Sequence, residues 1–375
     1  MNSTNTHNIV GTEMAINVIE KMVKKQLDNP SLASKLPSII LRSSPGCGKS
    51  TIVKYVADKL GIQFIDVRLA NMDRCDLTGV PSVENGETKW NVPSIWPKDK
   101  KSAGILFFDE ITGAPMDVQI AAYSIVLDRK IPNTDYVLPD KWYIVAAGNF
   151  STDRAGVKPM SSALANRFMH FDIEANVEDW KKWAVQHDIH PSVTGYVNYR
   201  PTNLLKMDGQ NLEAGWPSPR AWERVSHMID IVGDDEEQLQ KAVFGLIGPN
   251  VGVEFMAFHK LQSKFDDVLE MLTNPKAKID IPSKADAKYA FYSAMSYLLW
   301  NGKNAKDDEK RVDGFYRILE VSSSDFATAA AKLAMCGNSR VSKIQAVSML
   351  IKHPKFKDFK KKFGDSAQTE YKLTK

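Results

Sequence analysis

Apolar residues in the first half of the chain fall into two kinds of pattern. Short unbroken apolar runs occur at Ser38–Leu41, Phe64–Val67, Gly104–Phe108, Tyr143–Ala147 and Phe168–Ile173. Runs of this length suit strands that are covered on both faces. Between them the spacing changes. From Lys49 to Leu60, residues Ile52, Val53, Val56, Ala57 and Leu60 share one helical face, and Gly61 stands where a C-terminal cap would. Pro115 opens a second helical segment that carries Val118, Ala121, Ala122, Ile125 and Val126 inward. Strands alternating with helices predict a parallel sheet with helices on both faces. After about Phe171 helical spacing dominates, interrupted by a turn at Gly233–Glu237 and a polar loop at Asn301–Lys310. The pattern predicts an α/β core over 1–172, a helical segment over 173–261 and a helical C-terminal region over 262–375.

Composition narrows this little. Apolar residues make up 43% of the 375 and charged residues 25%, as in an ordinary globular protein. A net charge of +4 permits contact with nucleic acid or acidic partners without arguing for it. Cys47, Cys75 and Cys336 are scattered and odd in number, which gives no disulfide framework and predicts a reducing, cytoplasmic setting. No apolar stretch is long enough to span a bilayer, and Met1–Asn8 is polar, unlike a signal peptide. No membrane association is expected.

Chemistry enters between the first run and the first helix. Ser43-Ser44-Pro45-Gly46-Cys47-Gly48-Lys49-Ser50 follows a strand and opens a helix, as a phosphate-binding loop requires. Glycines turn the backbone so that N–H groups face phosphate oxygens, and the helix N-terminus adds partial positive charge. Pro45, Gly46, Cys47, Gly48, Lys49, Ser50 and Thr51 form the expected cradle for ATP. Lys49 is placed to reach the β- and γ-phosphates, and Ser50 to hold Mg²⁺. The usual first glycine is Ser43 here, which predicts a stiffer loop.

A second motif closes the third run. Asp109 and Glu110 end an apolar strand, where acids are costly unless they act. Asp109 fits a second magnesium-holding group, and Glu110 a base that polarises the attacking water. Asn149, ending the next run after Gly148, is suited to hold that water or the γ-phosphate; an asparagine in that position is also a common turn residue.

Gly46-Cys47-Gly48-Lys49-Ser50, Phe108-Asp109-Glu110 and Gly148-Asn149, in this order, resemble the AAA+ ATPases, which have the P-loop NTPase fold. Asp76–Gly79, then Gly86–Trp90 and Ile95–Pro97, then Ala114–Gln119, then a hairpin expected over Ile131–Trp142, resemble the MoxR branch. Members of that branch insert one hairpin in the second helix and another before the sensor strand. The resemblance covers roughly residues 9–230. It implies that Arg167, in Ala163–Phe168, reaches a neighbouring subunit's ATP site, with Arg154 able to exchange roles with it. It also implies that Arg220, in Pro217–Trp222, opens a lid helix and touches the γ-phosphate of its own or a neighbouring site. Ile9-Val10-Gly11 resembles the adenine-contacting segment. An arginine supplied in trans implies a homo-oligomeric ring, commonly a hexamer, acting on a protein client, often with a partner carrying a von Willebrand factor A domain.

Other features are set against plainer readings. Lys89, Trp90, Trp96, Asp135 and Tyr136 on the two hairpins are client-contact candidates, and the tryptophans serve equally as core filling. His187 and His190 lack the further ligands a metal site needs. Phe356, Phe359 and Phe363 among lysines predict a docked, amphipathic basic terminal helix. Two rival functions stay open: a DNA-acting motor, and a nucleotide-gated scaffold without catalysis.

Overall fold

The computed structural model describes residues 8–150, 153, 158, 160–207, 214–261 and 265–371. They form two compact units, Met1–Asn176 and Val177–Lys375.

The first unit is built on a six-stranded, wholly parallel sheet. Its strands are β1 (Ile9–Val10), β2 (Ser38–Arg42), β3 (Gln63–Arg68), β6 (Gly104–Asp109), β7 (Trp142–Gly148) and β8 (Phe168–Ile173). A separate antiparallel pair, β4 (Val80–Glu84) and β5 (Glu87–Asn91), forms a hairpin. The order across the main sheet is β1-β8-β2-β7-β6-β3. The helices of this unit are α1 (Thr12–Asp28), α2 (Lys49–Leu60), α3 (Arg74–Thr78), α4 (Met116–Asp128) and α5 (Ser162–Ala165).

The unbroken apolar runs have a simple cause. Successive side chains of a strand point to opposite faces, and here both faces are covered. Ile39 and Leu41 of β2 enter the core under α1 and α2, whereas Ile40 enters the core under α4. The same alternation runs through Ile105, Leu106, Phe107 and Phe108 of β6 and through Trp142–Ala147 of β7. The expected inward faces of α2 and α4 are the buried ones, except that Leu60 at the end of α2 is half-buried. Gly61 caps α2 in the left-handed conformation, its N–H donating to the Ala57 and Asp58 carbonyls.

At the hairpin tip Asn85 and Gly86 both have positive φ, the requirement of a tight two-residue antiparallel turn. The segment expected as a hairpin over Ile131–Trp142 differs. It holds a single bridge, Lys130 to Val137, and its far end already belongs to β7. Its base is fixed from inside, because the buried Arg129 guanidinium donates to the carbonyls of Pro139 and Trp142, both at 2.8 Å.

The second unit is helical among its described residues. It comprises α6 (Val177–Gln186), α7 (Pro191–Tyr199), α8 (Pro219–Val232), α9 (Glu236–Ile247), α10 (Pro249–Leu261), α11 (Phe265–Thr273), α12 (Ala285–Leu299), α13 (Ala305–Val321), α14 (Ser324–Ala334), α15 (Lys343–Lys352) and α16 (Phe356–Tyr371). Helix α12 packs on α7 and α10 as well as on α11, α13 and α14, so helices from both sides of residue 262 share one unit. The polar stretch Asn301–Lys310 is not a loop throughout. Asn304 accepts from the N–H groups of Lys306 and Asp307 and starts α13 within it. In α16, Phe359 and Phe363 are buried in the C-terminal core, which leaves its lysines to the outer face. No helix among the described residues is long and apolar enough to cross a membrane.

Candidate nucleotide site

The site gathers at the C-terminal ends of three adjacent strands, where the chain departs to different faces of the sheet. Such ends are where open α/β sheets bind ligands. β2 runs into the glycine loop, β7 ends at Gly148, and β6 ends at Asp109, with β2–β7 and β7–β6 neighbouring pairs.

Gly46 and Gly48 both adopt positive φ, +81° and +79°, so the tight turn uses the conformation that only glycine enters freely. Gly48 is the N-cap of α2 and offers no side chain to the first-turn amides. The amides of that first turn have no partner within their own helix, and anions suit such a terminus. Pro45, Gly46, Cys47 and Ser50 are half-buried and Thr51 is exposed on α2.

Lys49 is buried, at 9% exposure. Its ammonium donates to the Ser43 carbonyl at 2.9 Å, to Ser43 Oγ at 3.0 Å and to Asn149 Oδ1 at 2.9 Å, with the Ser44 carbonyl at 3.4 Å. The lysine of the loop and the amide ending β7 are thus in direct contact. Ser43 explains itself here. It does not have a positive φ, and its N–H donates to the Gly148 carbonyl, continuing β2 against β7. A glycine is therefore not demanded at this position, and the serine hydroxyl becomes one more acceptor around Lys49.

Ser50 donates to Asp109 Oδ2 at 2.8 Å. A hydroxyl and a carboxylate in contact form a hard-oxygen pair of the kind magnesium takes, so Ser50 and Asp109 fit the ion expected between them. The other Asp109 oxygen accepts from the Glu110 N–H at 2.9 Å. The Glu110 side chain is exposed, while Asp109 is half-buried. Its backbone lies at φ +56°, in the left-handed region that costs a non-glycine residue free energy. Behind it the Ile111 N–H donates to the Ala147 carbonyl and the Gly113 N–H to the Glu110 carbonyl, closing a tight turn against β7. Two carboxylates also meet at the edge: the Asp66 pKa is raised, first by partial desolvation and then by Asp109.

The remaining expected residues stand apart from this cluster. Val10 is buried in the sheet core as the last residue of β1, and Gly11 is the exposed N-cap of α1. Only the backbone of this pair is therefore presented outward. Arg167 is exposed between α5 and β8, and makes no ion pair among the described residues. Arg154 lies outside the described residues. Arg220 is exposed in the first turn of α8, a helix whose N-cap Ser218 accepts from the Ala221 N–H.

A plainer reading prevails for one of the hairpin aromatics. Trp96 is 1% exposed, donates to the Leu77 carbonyl and packs on Phe108 and Tyr136, so it fills the core rather than meeting a client. Lys89 pairs with Glu84 on the exposed hairpin, and Trp90 is half-buried there. Among the described residues no group of His, Cys, Asp and Glu is arranged to hold a metal ion. His187 instead stacks on Trp183, and His190 caps α7.

Known proteins match part of the chain. Residues 38–168 match the AAA domain of the dynein-related subfamily. The chain is 40% identical over 88 residues to the peroxisomal ATPase PEX6 of Arabidopsis thaliana, a match taking in 22% of this chain and 9% of that protein. It is 26% identical over 163 residues to protein CbbQ of Hydrogenophilus thermoluteolus, taking in 42% of this chain and 60% of that one. The chain thus spans less than two thirds of either relative. A point mutant of Thermotoga maritima RuvB aligns over 69% of this chain and 76% of its own, at 15% identity and a TM-score of 0.35. The matched segment holds the glycine loop, the acid pair Asp109–Glu110 and Asn149, and residues 38–168 are similar to an AAA domain.

Proposed function

We propose that the chain hydrolyses Mg-ATP and uses the cycle to remodel or activate a protein client within a homo-oligomeric ring. The observation that carries this reading is the double contact Lys49–Asn149 and Ser50–Asp109, which draws the ends of β2, β7 and β6 around one point. In this reading the loop 45–51 cradles the triphosphate, and Lys49 exchanges its carbonyl and amide acceptors for phosphate oxygens. Ser50 and Asp109 hold magnesium, which would supply charge neutralisation at the phosphates. Glu110, exposed at the strand end, orients and polarises water for in-line attack. Asn149 positions that water or the γ-phosphate, and the Val10–Gly11 backbone borders the adenine.

Arg167 carries an exposed guanidinium and completes the site of a neighbouring subunit; Arg220 adds a second cation in cis or in trans. Residues 173–261 act as the lid and 262–375 as an accessory helical region. The ring is a hexamer, its client is engaged through the β4–β5 hairpin and the 130–142 segment, and a von Willebrand factor A domain protein is a candidate partner. The scattered, free cysteines fit a reducing, cytoplasmic compartment.

The test is a phosphate-release assay with and without DNA, followed by a pull-down with the Glu110→Gln protein held in ATP. Magnesium-dependent turnover indifferent to DNA, with a protein retained by the trapped form, supports the reading. Turnover that rises only with DNA would give the function to the DNA-acting rival. Binding without turnover in any assembly state would give it to the scaffold.

A further inference from the structure

Resting on the ATPase reading, we infer that Thr112 is a positioning residue that locks the acid-bearing turn to the sensor asparagine, so that Glu110 and Asn149 keep one fixed relation during hydrolysis. Thr112 follows the acid pair by two residues, in a turn otherwise made of Ile111, Gly113 and Ala114. A threonine is the one side chain there able to accept a hydrogen bond. It is buried, at 6% exposure.

Three contacts define what it holds. Its Oγ1 accepts from the Asn149 N–H at 3.0 Å. Its carbonyl accepts from the Lys158 N–H at 2.6 Å. Its methyl and hydroxyl lie against Gly148, where an added Cβ would come within 2.6 Å of the Thr112 methyl. One side chain therefore fixes the backbone of Asn149 on one side and the turn carrying Glu110 on the other.

The physical reason for such a lock is at hand. Asn149 sits one residue past the end of β7, where strand pairing has stopped, and its amide N–H needs another acceptor. Glu110 lies in a strained left-handed conformation that persists only when its surroundings determine it. Asn149 Oδ1 also accepts from Lys49, so a shift at the β7 end moves the amide away from the loop lysine. Misplacement of catalytic groups by about 1 Å costs roughly 10²-fold in rate. Thr112 touches none of the reacting groups, and its effect is on geometry alone.

Thr112→Val keeps the shape and removes the acceptor; Thr112→Ser keeps the acceptor and removes the methyl. The expected result is a fall in kcat of about tenfold to hundredfold in Thr112→Val, with ATP affinity within about threefold of wild type and turnover largely restored in Thr112→Ser. Amide hydrogen exchange reads the lock without any turnover: the Asn149 N–H loses protection in Thr112→Val and keeps it in Thr112→Ser. Wild-type kcat in folded Thr112→Val, equal loss of affinity and turnover, or unchanged Asn149 exchange would each overturn the inference. The ATPase reading fails separately, through a wild-type protein with no turnover or a Glu110→Gln protein that retains it.

Discussion

The Ser50 hydroxyl donates to Asp109 Oδ2 at 2.8 Å, joining the first turn of α2 to the end of β6 across 59 residues of sequence. Serine and aspartate brought together in this way, beside a buried lysine, form the centre of the proposed site. Each side chain answers to a different role, so their removal should be distinguishable.

Asp109→Asn removes a charge at the proposed magnesium position while preserving shape. The expected outcome is loss of magnesium-dependent turnover by about 10²-fold or more, since metal-borne charge stabilisation is worth several kcal/mol. Ser50→Ala should act in the same direction. Steady-state rates titrated with magnesium check this, and a rate in Asp109→Asn that still saturates with the wild-type metal dependence would remove Asp109 from the metal position.

Arg167 is proposed to act in a neighbour's site, which makes a mixing experiment informative. Arg167→Ala alone should lower kcat by about 10³-fold or more, the scale seen for arginines supplied to phosphoryl transfer. Lys49→Ala alone should be inactive for want of phosphate binding. Mixing the two should restore part of the rate, because some interfaces then combine an intact loop with an intact arginine. Absence of recovery in assemblies shown to exchange subunits would place Arg167 in its own subunit's site or outside catalysis.

The tryptophans of the hairpin region divide by burial. Trp96→Ala should destabilise the first unit by about 3–5 kcal/mol, the range for emptying a large buried aromatic site. Trp90, half-buried on the exposed hairpin, should cost less than about 1 kcal/mol and affect client stimulation instead. Chemical denaturation of the two variants, alongside client-dependent turnover, separates the roles.

In the second unit His190 and His259 lie with ring centroids 5.8 Å apart. Burial, then the neighbouring His259, pushes the His190 pKa down from 6.5 to about 4, and burial also lowers that of His259. His190 Nδ1 accepts from the Ser192 N–H, a contact that needs the unprotonated ring. A folded pKa below the unfolded value means that the unfolded chain takes up more protons. The contribution is complete above the unfolded value and is lost as pH falls from about 6.5 towards 4, on the order of 3 kcal/mol for His190. Urea unfolding across that window checks it, and His190→Gln should flatten the profile.

β2, β6 and β7 are legible because strands covered on both faces must be apolar at every position, which leaves a signal in one short window. The glycine loop is legible because positive φ at Gly46 and Gly48 restricts residue type. The contacts that build the site are of another kind. Lys49–Asn149 and Thr112–Asn149 join residues far apart in sequence, and nothing in the local pattern of Thr112 marks it except a hydroxyl in an otherwise apolar turn. Asn304 hid a helix start inside a charged stretch, because a cap residue and a loop residue are chemically alike. Trp96 is not assignable from sequence because an aromatic ring has the same composition signal in a core and at an interface, and the exposure of Glu110 is not legible because a strand end does not specify which way its last side chain leaves.

The central assignment gives Glu110 to the chemical step and the loop to binding. A single-turnover experiment with γ-labelled ATP on the Glu110→Gln protein tests it directly. The account predicts ATP bound at wild-type affinity and recovered intact while the wild-type protein has released its phosphate. Phosphate release at the wild-type rate, or failure of the variant to bind ATP at all, would contradict it.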